Sequence, residues 1–175
     1  FSITGQPNAM GGRETGGMAN TLAEPMAFAP ADRDRVARFW GAPDTARAPG
    51  LKAVEMFEAV RDGRIKAIWV MATNPAVSMP NASRVREALA ACPFVVVSEA
   101  MEETDTTKFA HVKLPATTWG ERNGTVTNSE RRITRQRPLF DMPGEARPDW
   151  KIVADVAAAM GHSDAFNWRK SADVF

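Results

Sequence analysis

The chain has one cysteine, Cys92, which excludes an internal disulfide and any four-cysteine iron–sulfur or zinc site. Its two histidines, His111 and His162, are far apart and lack metal-ligand spacing, so the chain by itself carries no redox centre. No apolar run approaches the roughly 20 residues that a bilayer span requires. Charge of either sign is nearly cancelled, with 22 Lys and Arg against 21 Asp and Glu. The net +1 gives no general field to draw in nucleic acid or an anionic membrane. The common catalytic signatures are missing too: Gly-x-Ser-x-Gly, a Walker phosphate loop, His-Glu-x-x-His and the dinucleotide fingerprint Gly-x-Gly-x-x-Gly. The last absence argues against an ordinary NAD-dependent dehydrogenase.

The first residue is Phe1, and Phe1 to Gly12 lacks the basic start and apolar stretch of a signal peptide. Together with the abrupt end after Asn167, this reads as a piece excised from a longer chain. Apolar residues at 44% and charged residues at 25% are ordinary for a globular protein, and 175 residues suit one domain with an appended arm. The glycines of the opening, Gly5, Gly11, Gly12, Gly16 and Gly17, read as loop. Helices are expected from Asp32 to Trp40, with Val36, Phe39 and Trp40 on one side, and from Leu51 to Asp62, each closed by a glycine. A third helix is expected after Asn81 as N-cap, and a last from Asp149 to Met160. Apolar strands are expected at Ile65 to Ala72, Phe94 to Ser98 and His111 to Leu114, with a helical turn at Thr104 to Phe109 before the last. Cys92, where a helix runs into a strand, reads as a small core residue.

Apolar strands alternating with amphipathic helices predict an α/β fold: three layers, a mostly parallel sheet, and helices on both faces. The expected organisation is a glycine-rich loop with a connecting helix over 1–50, an α/β domain over 51–162 and a C-terminal extension over 163–175. In such a sheet, ligands bind where the strands end. That rule selects Asn74 after the first strand, and Ser98 and Glu99 after the second. Asn74 offers both a donor and an acceptor to a base or phosphate, and Glu99 suits a ribose diol. Each also has a structural reading, because Asn-Pro forms turns and Ser-Glu can cap a helix. A third cluster runs from Trp119 to Arg132. Gly120 and Gly124 there read as turn residues, and Arg122 could meet a pyrophosphate or a guanine edge. Arg131, Arg132, Arg135 and Arg137 read as a solvated face.

Several motifs, taken in order, carry a resemblance. Thr4-Gly5-Gln6-Pro7-Asn8-Ala9-Met10-Gly11-Gly12-Arg13-Glu14 resembles the glycine-rich segment of the bis(molybdopterin guanine dinucleotide) oxidoreductases. Trp69 to Ala76, Thr104-Asp105-Thr106, Ala110 to Pro115, Gly120 to Thr125 with Asn128 and Glu130-Arg131-Arg132, and Pro143 to Trp150 are similar to successive motifs of that family. Within it, the first segment and Asn128 to Arg132 most resemble assimilatory nitrate reductases, with periplasmic nitrate reductases and formate dehydrogenases as rivals.

The resemblance implies a Rossmann-like domain holding a molybdenum cofactor, bis-molybdopterin guanine dinucleotide. Gln6 would approach the pterin, and Asn74, Ser98 and Glu99 would hold the guanosine end. Arg122 would serve the dinucleotide, and Asp149 would bind the guanine edge or, alternatively, N-cap the last helix. Catalysis would be nitrate reduction by a full-length, cytoplasmic enzyme that also carries a 4Fe-4S cluster outside this chain and takes electrons from a donor protein or domain. Neither nucleic acid nor membrane is expected as a partner, and none of these residues is expected to be catalytic or to bind metal. His111 stands where the family commonly has Asp, as does Glu99, and both are expected near the nucleotide end. The competing reading is a free-standing nucleotide-binding module.

Overall fold

A computed structural model describes residues 7–23 and 26–174. The chain divides into two compact units, Phe1–Ala53 with Thr125–Arg135, and Val54–Gly124 with Gln136–Phe175. In the first, the glycine-rich opening is not all loop, because Ala9–Glu14 forms a short helix, α1. Close approach explains Gly11, whereas Gly16 turns the chain at φ 84°. A Cβ on Gly11 would stand 2.2 Å from Oδ1 of Asn8, the atom that also accepts the backbone N–H of Thr127 at 3.0 Å. The second helix, α2 (Pro30–Trp40), starts on a proline, whose missing N–H costs nothing there, and stops at Gly41 in the left-handed conformation, φ 61°. Its expected apolar side is only partly realised. Val36 is buried, whereas Phe39 and Trp40 are 86% and 57% exposed and merely border a shallow hollow with Ala23 and Met26.

The second unit holds α3 (Ala53–Arg61), β1 (Ala67–Met71), α4 (Pro75–Ser78), α5 (Ala82–Ala91), β2 (Phe94–Glu99), β3 (Val112–Pro115) and α6 (Asp149–Ala159). The three strands pair in the order β1-β2-β3, and both pairings are parallel. The fold is therefore α/β with a parallel main sheet, as the strand and helix alternation predicts. Register sets the faces. Ile68 opposes Val95 and Val70 opposes Val97, and this row packs on Phe57 and Val60 of α3 and on Val85, Ala88 and Leu89 of α5. Cys92 lies in the same core at 3% exposure. On the other face Trp69, Val96, Ser98 and Leu114 alternate with that row.

The run from Gly124 to Gln136, expected as loop and solvated charge, contains a small antiparallel hairpin, β4 (Gly124–Thr127) and β5 (Ile133–Gln136). The turn is built by Asn128, whose Oδ1 accepts the backbone N–H groups of Glu130 and Arg132 at 3.0 and 2.9 Å. Arg131, left-handed at φ 62°, pairs with Glu14 at 2.6 Å and remains mostly exposed.

His111 belongs to the opposite end of the sheet from the one expected. It immediately precedes β3; its Nδ1 accepts the N–H of Val95 at 3.0 Å and its own N–H donates to the Val95 carbonyl at 2.8 Å. The imidazole thus extends the ladder at the start of β2, away from the strand ends. An acceptor is what the position needs, and a carboxylate would also supply one. Val95 is fully buried, so an apolar residue at 111 orphans its N–H. His111→Leu is expected to destabilise by about 1–3 kcal/mol in urea unfolding and His111→Asp by clearly less; equal losses would contradict this role.

Candidate functional site at the carboxyl edge of the sheet

Parallel pairing sends the chain out of all three strands at one edge. There Met71 opposes Ser98, and Ser98 opposes Leu114. The exit from β1 is tight, with Ala72 at φ 52° and its N–H donating to the Ser98 carbonyl at 3.0 Å. Asn74 follows at the start of α4 but does not cap it with its side chain. Its Oδ1 instead accepts from Thr106, from the backbone N–H at 3.2 Å and the hydroxyl at 2.6 Å. The Thr106 hydroxyl in turn accepts the N–H of Ala76 at 3.1 Å. One amide thus ties the β1 exit to the β2–β3 connection, and its acceptor is committed. No partner of its –NH2 appears among the described residues, so the donor half is available.

Ser98 is fully buried, and its hydroxyl accepts the indole N–H of Trp69 at 2.8 Å. The expected ligand group therefore points into the protein, where it seats a neighbouring strand. Glu99 lies at the surface. Its Oε1 accepts the backbone N–H groups of Ala100 and Met101 at 2.8 and 3.3 Å, which folds the loop after β2 back on itself. Glu99 also lines a cavity of about 700 Å³ at the ends of β2 and β3, with Met101, Pro115, Thr118, Glu121 and Gly144 among its other walls. Asn74, Ser98, Arg122 and Asp149 are not part of that wall.

Past β3 the chain is held from two sides. Arg147 donates its N–H to the Pro115 carbonyl and accepts from Thr117, both at 3.1 Å, adding a parallel bridge opposite Ala116. A capping box then turns the chain: Glu121 accepts the N–H of Thr118 at 2.8 Å while the Thr118 side chain meets the backbone of Glu121. Thr118-x-x-Glu121 is the sequence signature of such a cap. Gly120 lies within this turn without a positive φ and makes room for Phe140, whose ring would lie 2.8 Å from an added Cβ, whereas Gly124 begins β4.

The capping turn delivers Arg122 onto three acceptors. Its Nε donates to the Thr118 carbonyl at 3.1 Å, one terminal nitrogen to Asp149 Oδ2 at 3.1 Å, and the other to the Thr117 carbonyl. Asp149 is the first residue of α6, not its N-cap; Pro148 takes that place, with no side-chain cap. Burial leaves two atoms here without partners: Oδ1 of Asp149 and Oγ1 of the fully buried Thr117. A ligand offering hydrogen-bond donors would satisfy the first, and a guanine edge has that character. Sequence reasoning missed Thr106, Thr117 and Trp69, whose roles depend on long-range partners that no local pattern displays. Gln6 lies outside the described residues.

The sheet and its helices define an α/β fold with a parallel main sheet, and the sequence comparisons identify the family. The molybdopterin oxidoreductase model matches residues 3–159, and the chain belongs to that family. It is 57% identical over its whole length to a nitrate reductase of Klebsiella oxytoca, covering 20% of that protein. It is 39% identical over 99% of its length to the assimilatory nitrate reductase catalytic subunit of Bacillus subtilis, covering 25% of it. The chain therefore spans about a fifth to a quarter of these relatives. Among solved structures, acetylene hydratase from Pelobacter acetylenicus shares the fold, with a TM-score of 0.62 at 21% identity over 71% of this chain and 18% of its own. Among the described residues, no helix is long and apolar enough to cross a membrane, and no group of three or more His, Cys, Asp or Glu could hold a metal ion.

The fixing of α6 can be tested by pH. Asp155 pairs with Lys151, and with Arg147 at 2.8 Å. The Lys151 hydrogen bond, aided by Arg147 and opposed in part by desolvation, holds its carboxyl below the ordinary 3.8. A lowered folded value means stabilisation present above pH 3.8 and lost as the pH falls below it. At neutral pH, Asp155→Asn is expected to lose less than about 1 kcal/mol, because the pair is solvent-accessible. In unfolding curves that gap should close in acid; a gap that is the same at pH 3 and 7 would contradict the pairing.

Proposed function

We propose that this chain is the part of a nitrate reductase catalytic subunit that holds the guanine-nucleotide end of a bis-molybdopterin guanine dinucleotide cofactor. The observation that carries the reading is the buried, unpartnered Oδ1 of Asp149, beside an arginine and at the strand-exit edge. Likeness along the whole chain to nitrate reductases supports the choice of enzyme.

On this reading, Asp149 accepts from the guanine edge, and Asn74 turns its uncommitted –NH2 toward the nucleotide. Glu99 offers its carboxylate to a ribose diol at the rim of the cavity. Ser98 works from inside, seating Trp69 and so fixing the end of β2. Gln6 would face the pterin. When bound, the cofactor would supply the two-electron redox and oxygen-atom transfer chemistry that reduces nitrate to nitrite. The chain itself would contribute binding, orientation and exclusion of water. A 4Fe-4S cluster, an electron donor and a cytoplasmic setting belong to the same reading and lie in the longer protein.

The test uses a full-length polypeptide carrying this chain. It is expected to contain molybdenum and iron and to reduce nitrate, while the 175-residue chain alone turns over none. Turnover of formate without nitrate would overturn the choice of enzyme, and a protein free of molybdenum and of guanine nucleotide would overturn the cofactor reading.

A further inference from the structure

We infer that Thr106 is a positioning residue: it holds the Asn74 amide by its oxygen and turns the –NH2 away, so that this corner of the site donates to an acceptor atom of the nucleotide. The inference rests on the cofactor-holding reading above. The two ends of an asparagine amide have nearly the same shape, and the hydrogen bonds on offer decide which way round it lies. A backbone N–H can only donate, and that of Thr106 lies 3.2 Å from Asn74 Oδ1. The Thr106 hydroxyl adds a second donor at 2.6 Å. Two donors fill both lone pairs of the oxygen, and a reversed amide would set its –NH2 against the backbone donor. An aspartate at 74 would accept the same two bonds. What the amide adds is the –NH2, which has no partner among the described residues.

Thr106 is mounted to do this. Its hydroxyl also accepts the N–H of the fully buried Ala76 at 3.1 Å, so one atom holds the Asn74 side chain and the backbone two residues on. The turn that carries Thr106 is locked by the threonines on either side. The Thr107 hydroxyl accepts the N–H of Thr104 at 2.7 Å and donates to the Thr104 carbonyl at 3.0 Å. The Thr104 hydroxyl accepts the N–H of Thr107 at 3.1 Å. Thr106 is itself fully buried and its hydroxyl is engaged on both sides, so it reaches a ligand only through the amide. An amide held at its oxygen and at the following backbone is already ordered when a ligand arrives, which lowers the cost of binding. The Thr104-Asp105-Thr106 motif thereby gains a role: it carries the mount for the donor at the end of β1.

Binding of guanosine diphosphate to cofactor-free full-length protein carrying this chain separates positioning from general support of the fold. Asn74→Ala removes the donor and is expected to weaken binding about 10-fold. Thr106→Val keeps the shape without the hydroxyl and should weaken it about 3- to 10-fold, the scale of one hydrogen bond. Thr106→Ser restores the hydroxyl and should bind within about 2-fold of the wild type. If Thr106 acts through Asn74, then in an Asn74→Ala background Thr106→Val should change binding by less than about 2-fold. An equal loss with and without the amide would make Thr106 a support of the fold and overturn the inference. Should Thr106→Val fail to fold, Thr106→Cys takes its place in the same comparison, because a thiol is a weak partner for both groups and not an absent one. A wild type that does not bind guanosine diphosphate would overturn the cofactor reading and this inference together. Wild-type binding that survives Thr106→Val or Asn74→Ala undiminished would overturn the inference alone.

Discussion

Parallel pairing of three short strands is the constraint from which the rest of the site follows. With β1, β2 and β3 running the same way in the register Met71–Ser98–Leu114, the chain must leave all three at one edge. Asn74, Glu99 and the segment from Ala116 to Arg122 arrive there by topology, before any side-chain contact is made. The strands hold that register because Val70, Val95 and Val97 face the α3 and α5 core, and a one-residue slip would carry them to the other face. Core burial thus decides where the polar residues emerge.

At the edge, polar groups are first used on the protein itself. Asn74 fixes Thr106, Ser98 holds Trp69, Glu99 folds its own loop and Arg122 collects two carbonyls and a carboxylate. This internal use does not compete with binding. A loop whose hydrogen bonds are already satisfied loses little freedom when a ligand arrives, so the few unspent atoms, the –NH2 of Asn74 and Oδ1 of Asp149, are presented at low cost. Ser98 shows the same economy: its hydroxyl would suit a nucleotide, yet it is buried and holds Trp69.

Much of the architecture was legible in the sequence, and the reasons are physical. Strands such as Phe94 to Ser98 are so apolar that only a covered parallel sheet suits them, and Gly41, Gly63 and Gly161 mark helix ends by adopting positive φ. The rule that such sheets bind ligands at strand ends selected Asn74 and Glu99, and the parallel pairing does bring both to that edge. Legibility ran out wherever a partner was distant. Nothing near Ser98 announces that Trp69 will claim its hydroxyl, and nothing near His111 announces the Val95 N–H. The hairpin was hidden differently: its three arginines, with Arg137 just after it, looked like a charge run, although the β-branched residues Thr125, Val126, Thr127, Ile133 and Thr134 around Asn128 carried the strand signal. In the glycine-rich opening, close approach to Asn8 demands Gly11 and turning demands Gly16, at φ 84°.

The claim that one edge of the sheet seats the nucleotide can be tested most directly by hydrogen exchange on a full-length polypeptide carrying this chain, with and without its cofactor. Loading should slow exchange in the strand-exit segments, residues 72–76, 99–102, 116–122 and 147–152, and leave the entry ends near Lys66, Pro93 and His111 unchanged. Slowing at the entry ends, or no change at the exits, would contradict the account.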